Sequence, residues 1–93
     1  MSKFNEYFNG NVKSIGFEST EGTATVGVME IGEYEFSTSK IEIMSLITGE
    51  LTVKLPDTED WKVYKKGENF TVAANKKFQL KVIKPSSYLC LYK

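Results

Sequence analysis

Glu42 is the residue of this chain best suited to chemistry, and what it can do depends on what stands around it. It opens the second of three spaced segments, Gly32-x5-Thr38, Glu42-x6-Gly49 and Gly67-x5-Ala73. A carboxylate so placed can hold a metal, stabilise a developing cation or grip hydroxyl groups. The first option needs nitrogen or sulfur partners, yet the chain has no histidine and a single cysteine, Cys90. No cluster with metal-ligand spacing exists, and no glycine-rich phosphate loop of the P-loop type. Chemistry at Glu42 is therefore expected to proceed without a metal or cofactor. Thr38 supplies a hydroxyl nearby in sequence. Nothing beside Cys90 would lower its pKa, so it reads as a small buried apolar group.

The elements that must position these groups read as strands and turns. Glu33 to Thr38 and Leu51 to Leu55 alternate with period two, and the second run stops at the turn signal Pro56-Asp57. Val26–Met29, Phe70–Val72, Phe78–Val82 and Tyr88–Tyr92 are further β-rich runs, and glycines punctuate them. Asn75-Lys76-Lys77 reads as a tight polar turn. Lys40 to Thr48 is ambiguous, because Ile41, Met44 and Ile47 also fit a helical stripe. Seven or more short strands imply an all-β sandwich or barrel, one domain over residues 1–93. Parity then sorts the side chains. Tyr34, Phe36 and Thr38 are expected inward, with Glu33, Glu35 and Ser37 outside. Met44 and Leu46 share a face with Glu42. Phe78, Leu80 and Val82 point in, as do Tyr88, Cys90 and Tyr92. One extra residue in a strand would reverse its assignment. Trp61 reads as a loop aromatic packing on the barrel or on a partner subunit.

Composition narrows the class. Twelve lysines balance twelve acidic residues, and there is no arginine. Zero net charge argues against a nucleic-acid partner. Without arginine the chain lacks the side chain best suited to clamping phosphate through two bonds. No apolar run approaches the ~20 residues of a membrane span, so no membrane association is expected. The segment Met1 to Glu6 has no apolar signal-peptide core, and one cysteine forms no internal disulfide; both point to the cytoplasm.

Several short motifs recur in a recognisable order. They are Asn5-Glu6-Tyr7-Phe8, Val12-Lys13-Ser14-Ile15-Gly16-Phe17, Val26-Gly27-Val28-Met29, Gly32-Glu33-Tyr34-x-Phe36-Ser37-Thr38 and Ser87-Tyr88-Leu89-Cys90. Together, across nearly the whole chain, they resemble the pyrimidine/purine nucleoside phosphorylases, a bacterial family of small cupins. The resemblance implies a single-domain cupin, a double-stranded β-helix or jelly-roll barrel, assembled as a homodimer. It implies an enzyme that takes nucleoside and inorganic phosphate to free base and ribose 1-phosphate with broad base specificity. There are departures. Ala73 stands where the second cupin motif has proline, and Phe78 where it has histidine. Thr23 and Leu91 fall where some relatives carry arginine, so no arginine role in phosphate binding transfers to this chain.

That chemistry asks for particular groups. Cleavage of an N-glycosidic bond passes through a ribosyl cation-like state, which a carboxylate can stabilise. Glu42 is the catalytic candidate, with Thr38 placed to bond ribose or phosphate. Each has a plain alternative: Glu42 as a satisfied buried acid tying strands together, Thr38 as an ordinary strand hydroxyl. Tyr34 and Phe36 can stack on base or sugar, or simply fill the core. Lys13-Ser14 is the phosphate candidate, a point charge beside a hydroxyl donor, against a solvated surface lysine. Tyr88 can present its hydroxyl at the barrel mouth or serve as an interface aromatic. Lys65-Lys66 and Lys76-Lys77 read as exposed turn charges.

Three readings stand open: a metal-free phosphorylase, a cupin that binds a nucleoside- or sugar-like ligand without turnover, and a structural dimer with a filled core. Polarity inside the barrel separates them. An enzyme needs Glu42, Thr38 and a cation converging on one cavity, a binder needs the cavity alone, and a structural protein fills it with Met44, Leu46, Phe78 and Leu80.

Overall fold

A computed structural model describes residues 2–93, and every regular element in them is a β-strand. The strands are β1 (Lys3–Tyr7), β2 (Val12–Ser19), β3 (Gly22–Met29), β4 (Gly32–Ser37), β5 (Glu42–Thr48), β6 (Glu50–Lys54), β7 (Trp61–Lys65), β8 (Asn69–Val72), β9 (Lys77–Val82) and β10 (Ser86–Tyr92). All pairings are antiparallel. They make a large sheet ordered β1-β2-β3-β10-β5-β8 and a small sheet ordered β4-β9-β6-β7. From β3 onward the chain switches sheet at each connection except the β6–β7 hairpin, which is the jelly-roll arrangement.

Local chemistry explains the corners. Asn75 takes a φ of 60° in the turn before β9, a conformation asparagine tolerates. Gly49 joins β5 to β6 with a φ of 93°, and a Cβ there would collide with Ser86. Ser86 in turn accepts from the Glu50 amide at 3.0 Å and donates to the Lys84 carbonyl at 2.8 Å, tying the start of β10 to that corner.

The ambiguous segment resolves as strand β5. A helical stripe would bury Ile41, Met44 and Ile47 together, but Ile41 and Ile47 are each 42% exposed while Met44 is 4% exposed. Glu42, Met44 and Leu46 share the inner face. Trp61 is not in a loop: it opens β7 on the outer face of the small sheet, with the Lys81 ammonium 4.2 Å from its ring centre. The core lies between the sheets. Val12, Met29, Leu46, Leu51, Val53, Leu80 and Val82 fill one end of the sandwich. The other end is where the polar groups collect.

Candidate active site

Cross-strand register on the inner face of the large sheet stacks side chains in rows. Ser14, Gly27, Tyr88 and Leu46 lie opposite one another on β2, β3, β10 and β5. The next row runs Gly16, Thr25, Cys90, Met44 and Phe70. The last holds Tyr92, Glu42 and Val72. Three inward positions of β10 and one of β5 thus bring Tyr88, Cys90, Tyr92 and Glu42 together. The only register shift between these strands lies at Ser87/Tyr88, before the polar set begins, so their phase is kept.

Gly27 makes this arrangement possible. A Cβ built there would come within 2.5 Å of the Tyr88 phenol. With hydrogen in its place, the Tyr88 ring passes over the backbone of β3 and its hydroxyl reaches Ser14. Burial pushes the Tyr88 phenol up to about 12, against a smaller downward pull from Ser14. It stays protonated and can donate.

Glu42 is half-buried. Burial raises its pKa, and the Cys90 thiol, which donates to Oε1 at 3.7 Å, partly offsets the rise. Among the described residues no ammonium group pairs with it. Cys90 is pushed up to about 12, first by burial and then by the charge of Glu42. The thiol is therefore a weak donor to the carboxylate, not a nucleophile. Tyr92 shares a hydrogen bond with the Thr25 hydroxyl at 3.1 Å, and burial raises its phenol as well.

These groups border a cavity of about 170 Å3. Glu42, Ser14, Tyr88, Cys90 and Tyr92 give it a polar wall, and Tyr7 on β1 stands with Ser37 beside them. Met29, Met44, Phe36 and Phe78 give it an apolar wall, with the two phenyl rings stacked at 5.8 Å. Phe70 packs on the back of Phe78 at 6.2 Å.

Four of the seven candidate residues meet here: Glu42, Ser14, Phe36 and Tyr88. The other three do not line the cavity. Lys13 is exposed on the outer face of the large sheet, because successive residues of a strand point to opposite sides. It cannot act with Ser14 on one phosphate. Thr38 is buried as expected, but its hydroxyl is fully engaged. It donates to the Ala73 carbonyl at 2.7 Å and accepts from the Lys76 amide at 3.0 Å, clamping the end of β4 to the turn before β9. Tyr34 is buried at the apolar end and donates to the Glu30 carbonyl at 2.7 Å. Sequence reasoning missed Gly27, Thr25 and Tyr7. A glycine inside a strand is itself a signal of close approach, and Gly27 carried it. Of the predicted turn charges, Lys76 pairs with Asp57 at 3.1 Å. Among the described residues no group of His, Cys, Asp and Glu is arranged to hold a metal, and no helix is long and apolar enough to cross a membrane.

Known proteins resemble this chain in sequence and in fold. A family model described as pyrimidine/purine nucleoside phosphorylase matches residues 2–92. A protein of Pseudomonas putida named pyrimidine/purine nucleoside phosphorylase is 59% identical, over 100% of this chain and 99% of its own. The crystal structure of a Vibrio parahaemolyticus protein of unknown function superposes with a TM-score of 0.93 at 43% identity, covering 97% of this chain and 96% of its own. An RmlC-like cupin from Shewanella frigidimarina superposes with a TM-score of 0.75 at 16% identity, covering 96% and 80%, a likeness of fold. The jelly roll has the fold of a cupin.

Proposed function

This chain belongs to the pyrimidine/purine nucleoside phosphorylase family, and from that membership we propose that it phosphorolyses nucleosides in the lumen beside Glu42. The observation that carries the reading is the two-sided cavity, with one carboxylate in a hydroxyl-lined wall facing a wall of methionine and phenylalanine. The base lies against Met29, Met44, Phe36 and Phe78. Thioethers adapt to shape, and aromatic faces stack on any base. That wall presents no carboxylate or amide side chain to read a base edge, which favours acceptance of purines and pyrimidines alike. The ribose lies toward Glu42, Tyr88 and Ser14.

In the reaction a phosphate oxygen forms a bond to the anomeric carbon as the bond from that carbon to the base nitrogen breaks. The bonding pair leaves with the base. The proton of monohydrogen phosphate ends on the base, so the products are free base and ribose 1-phosphate. Ionised Glu42 stabilises the positive charge that builds on the ribose. Its partner in the ground state is only a thiol, which leaves the carboxylate largely free to answer that charge. Cys90 and Tyr88 remain protonated and orient rather than attack. No step calls for a metal.

The family resemblance carries a homodimer, and the outer face of the large sheet supports it. Phe4, Ile15, Val26 and Leu89 stand opposite one another across four strands, and Phe17, Leu91 and Ile43 flank the fully buried Ala24 in the adjacent row. Such a continuous uncharged surface suits a second copy of the same sheet.

No lysine lines the cavity, and that observation favours a non-catalytic nucleoside binder as the second reading. One assay separates them: release of free base from a panel of nucleosides, with and without phosphate and EDTA. Release that needs phosphate and survives the chelator is expected. Binding without release at any phosphate concentration would leave the binder.

A further inference from the structure

A second hollow, of about 420 Å3, adjoins the cavity and shares Tyr7 and Tyr92 with it. Its chemistry is the complement of the first. Lys3 on β1 and Lys40 before β5 line it, as do Asn5, Thr25 and Ser39. Neither lysine takes part in an ion pair among the described residues. The one carboxylate there, Glu18, shares the single Thr23 hydroxyl proton between its oxygens at 2.9 and 3.1 Å and keeps its charge, so the hollow sets two lysines against one carboxylate. Opposite Lys3 stands Gly16, and the Asn5 and Thr25 side chains lie beside the place where a Cβ would be, at 3.8 and 3.6 Å.

Electrostatics decides which of the two spaces an anion would take. Among the described residues the cavity holds Glu42 and no cation, so a phosphate placed against that carboxylate is repelled. The hollow offers cations and donors instead. Thr25 and Tyr92 stand where the two spaces meet, and a single hydrogen bond links their hydroxyls. That bond uses one of two hydroxyl protons and leaves the other for a ligand oxygen.

We propose that this hollow is the subsite for inorganic phosphate, with Lys3 and Lys40 supplying its charge and Thr25 and Tyr92 directing one oxygen toward the ribose. The assignment rests on the phosphorylase reading for its purpose but not for its location. It moves the phosphate-binding cation from Lys13 to two residues far apart in sequence. Base, sugar and phosphate then lie in a line, from the apolar wall through Glu42 to the open hollow.

Two measurements test it. The first is titration of the whole protein with inorganic phosphate at constant ionic strength, followed by backbone amide NMR shifts. Saturable shifts confined to Lys3, Asn5, Thr25, Lys40 and Tyr92 are expected, and they should vanish in the Lys3→Ala/Lys40→Ala double variant. The second is phosphorolysis kinetics. Each single alanine variant should raise KM for phosphate roughly tenfold, the loss of one charged contact, while KM for nucleoside stays nearly constant. Lys84→Ala, an exposed lysine in the loop before β10, is the charge control. If the wild type binds phosphate at these residues yet releases no base, the subsite stands and the phosphorylase reading falls. If phosphate shifts map elsewhere, or Lys13→Ala raises KM for phosphate and the other two do not, the subsite is wrong whatever the activity.

Discussion

The two sheets of this sandwich follow opposite rules. The small sheet is ordinary: Tyr34, Phe78, Leu80, Val82, Leu51 and Val53 face the core, and charges face water. On its outer side Glu33 stands opposite Lys81, Gln79 donates to Glu35 at 2.9 Å, and Lys81 covers Trp61. The large sheet departs from this rule at the polar end of its inner face and in the middle of its outer face. Inside it places Ser14, Thr25, Glu42, Tyr88 and Tyr92, and outside Ile15, Phe17, Val26, Val28, Leu89 and Leu91. Each departure costs stability in a monomer, since polar groups lose water inside and apolar ones keep it outside. The lesson is a division of labour. One sheet holds the fold, and under the proposed function the other spends its inner face on a ligand and its outer face on assembly.

The strongest way to break that comparison is to disable one face of the large sheet at a time. Glu42→Gln keeps shape and removes charge, and kcat should fall about 100-fold or more, by analogy with the loss of one preorganised electrostatic partner. Molecular mass by light scattering should not change. Val26→Lys puts a charge in the middle of the outer row. It should raise the dimer dissociation constant about 100-fold or more, read as a shift toward monomer mass on dilution. If Val26→Lys leaves the mass unchanged, the outer face is not the interface and its exposure needs another cause.

The next effects are smaller and separate ligand-facing groups from purely structural ones. Gly27→Ala forces the Tyr88 ring away from β3, where a Cβ would lie 2.5 Å from it. Overpacking of this kind costs about 1–3 kcal/mol, and it should also raise KM for nucleoside because Tyr88 leaves the cavity wall. Thr38→Val strips the hydroxyl from the Ala73 carbonyl and the Lys76 amide, at a cost of about 1–3 kcal/mol. For a chain of this size that lowers Tm by several degrees, with KM and kcat of the folded protein unchanged. A fall in kcat for Thr38→Val at full folding would restore that residue to the chemistry.

Much of the inner surface was legible from alternation, with the family resemblance setting the phase of β5. Tyr34, Phe36 and Thr38, then Glu42, Met44 and Leu46, then Phe78, Leu80 and Val82 all face inward as parity requires, because no bulge interrupts those runs. What parity could not supply was the far partner of each group. Thr38 is in the expected place, but its hydroxyl is consumed by backbone atoms 35 and 38 residues away. Lys13 and Ser14 are neighbours in sequence and so, on one strand, opposites in space. Lys3 and Lys40 share a hollow only because β1 folds back on β2 while β5 lies across the same sheet, a proximity with no local signature. Gly27 was visible as a strand glycine, yet only the position of Tyr88 gives it a purpose.

The smallest effect is a slope, and it ties the cost of the inner face to its use. Burial raises the pKa of Glu42 above its unfolded value, so between the two values the folded chain binds more protons than the unfolded one. Unfolding free energy must then fall as pH rises from the ordinary carboxylate range through the raised pKa, and level off above it. Below that window Glu42 is protonated in both states and contributes no such penalty. Glu42→Gln should remove this part of the slope, leaving the variant the more stable protein above the window, by denaturant unfolding at a series of pH values. If ionised Glu42 answers the ribosyl charge, kcat/KM of the wild type should rise with pH through the same window. Stability falling where activity rises is the signature of a carboxylate kept for the reaction. Parallel slopes for wild type and variant would mean that the thiol of Cys90 satisfies Glu42 in full, and the inner face would then be as structural as the small sheet.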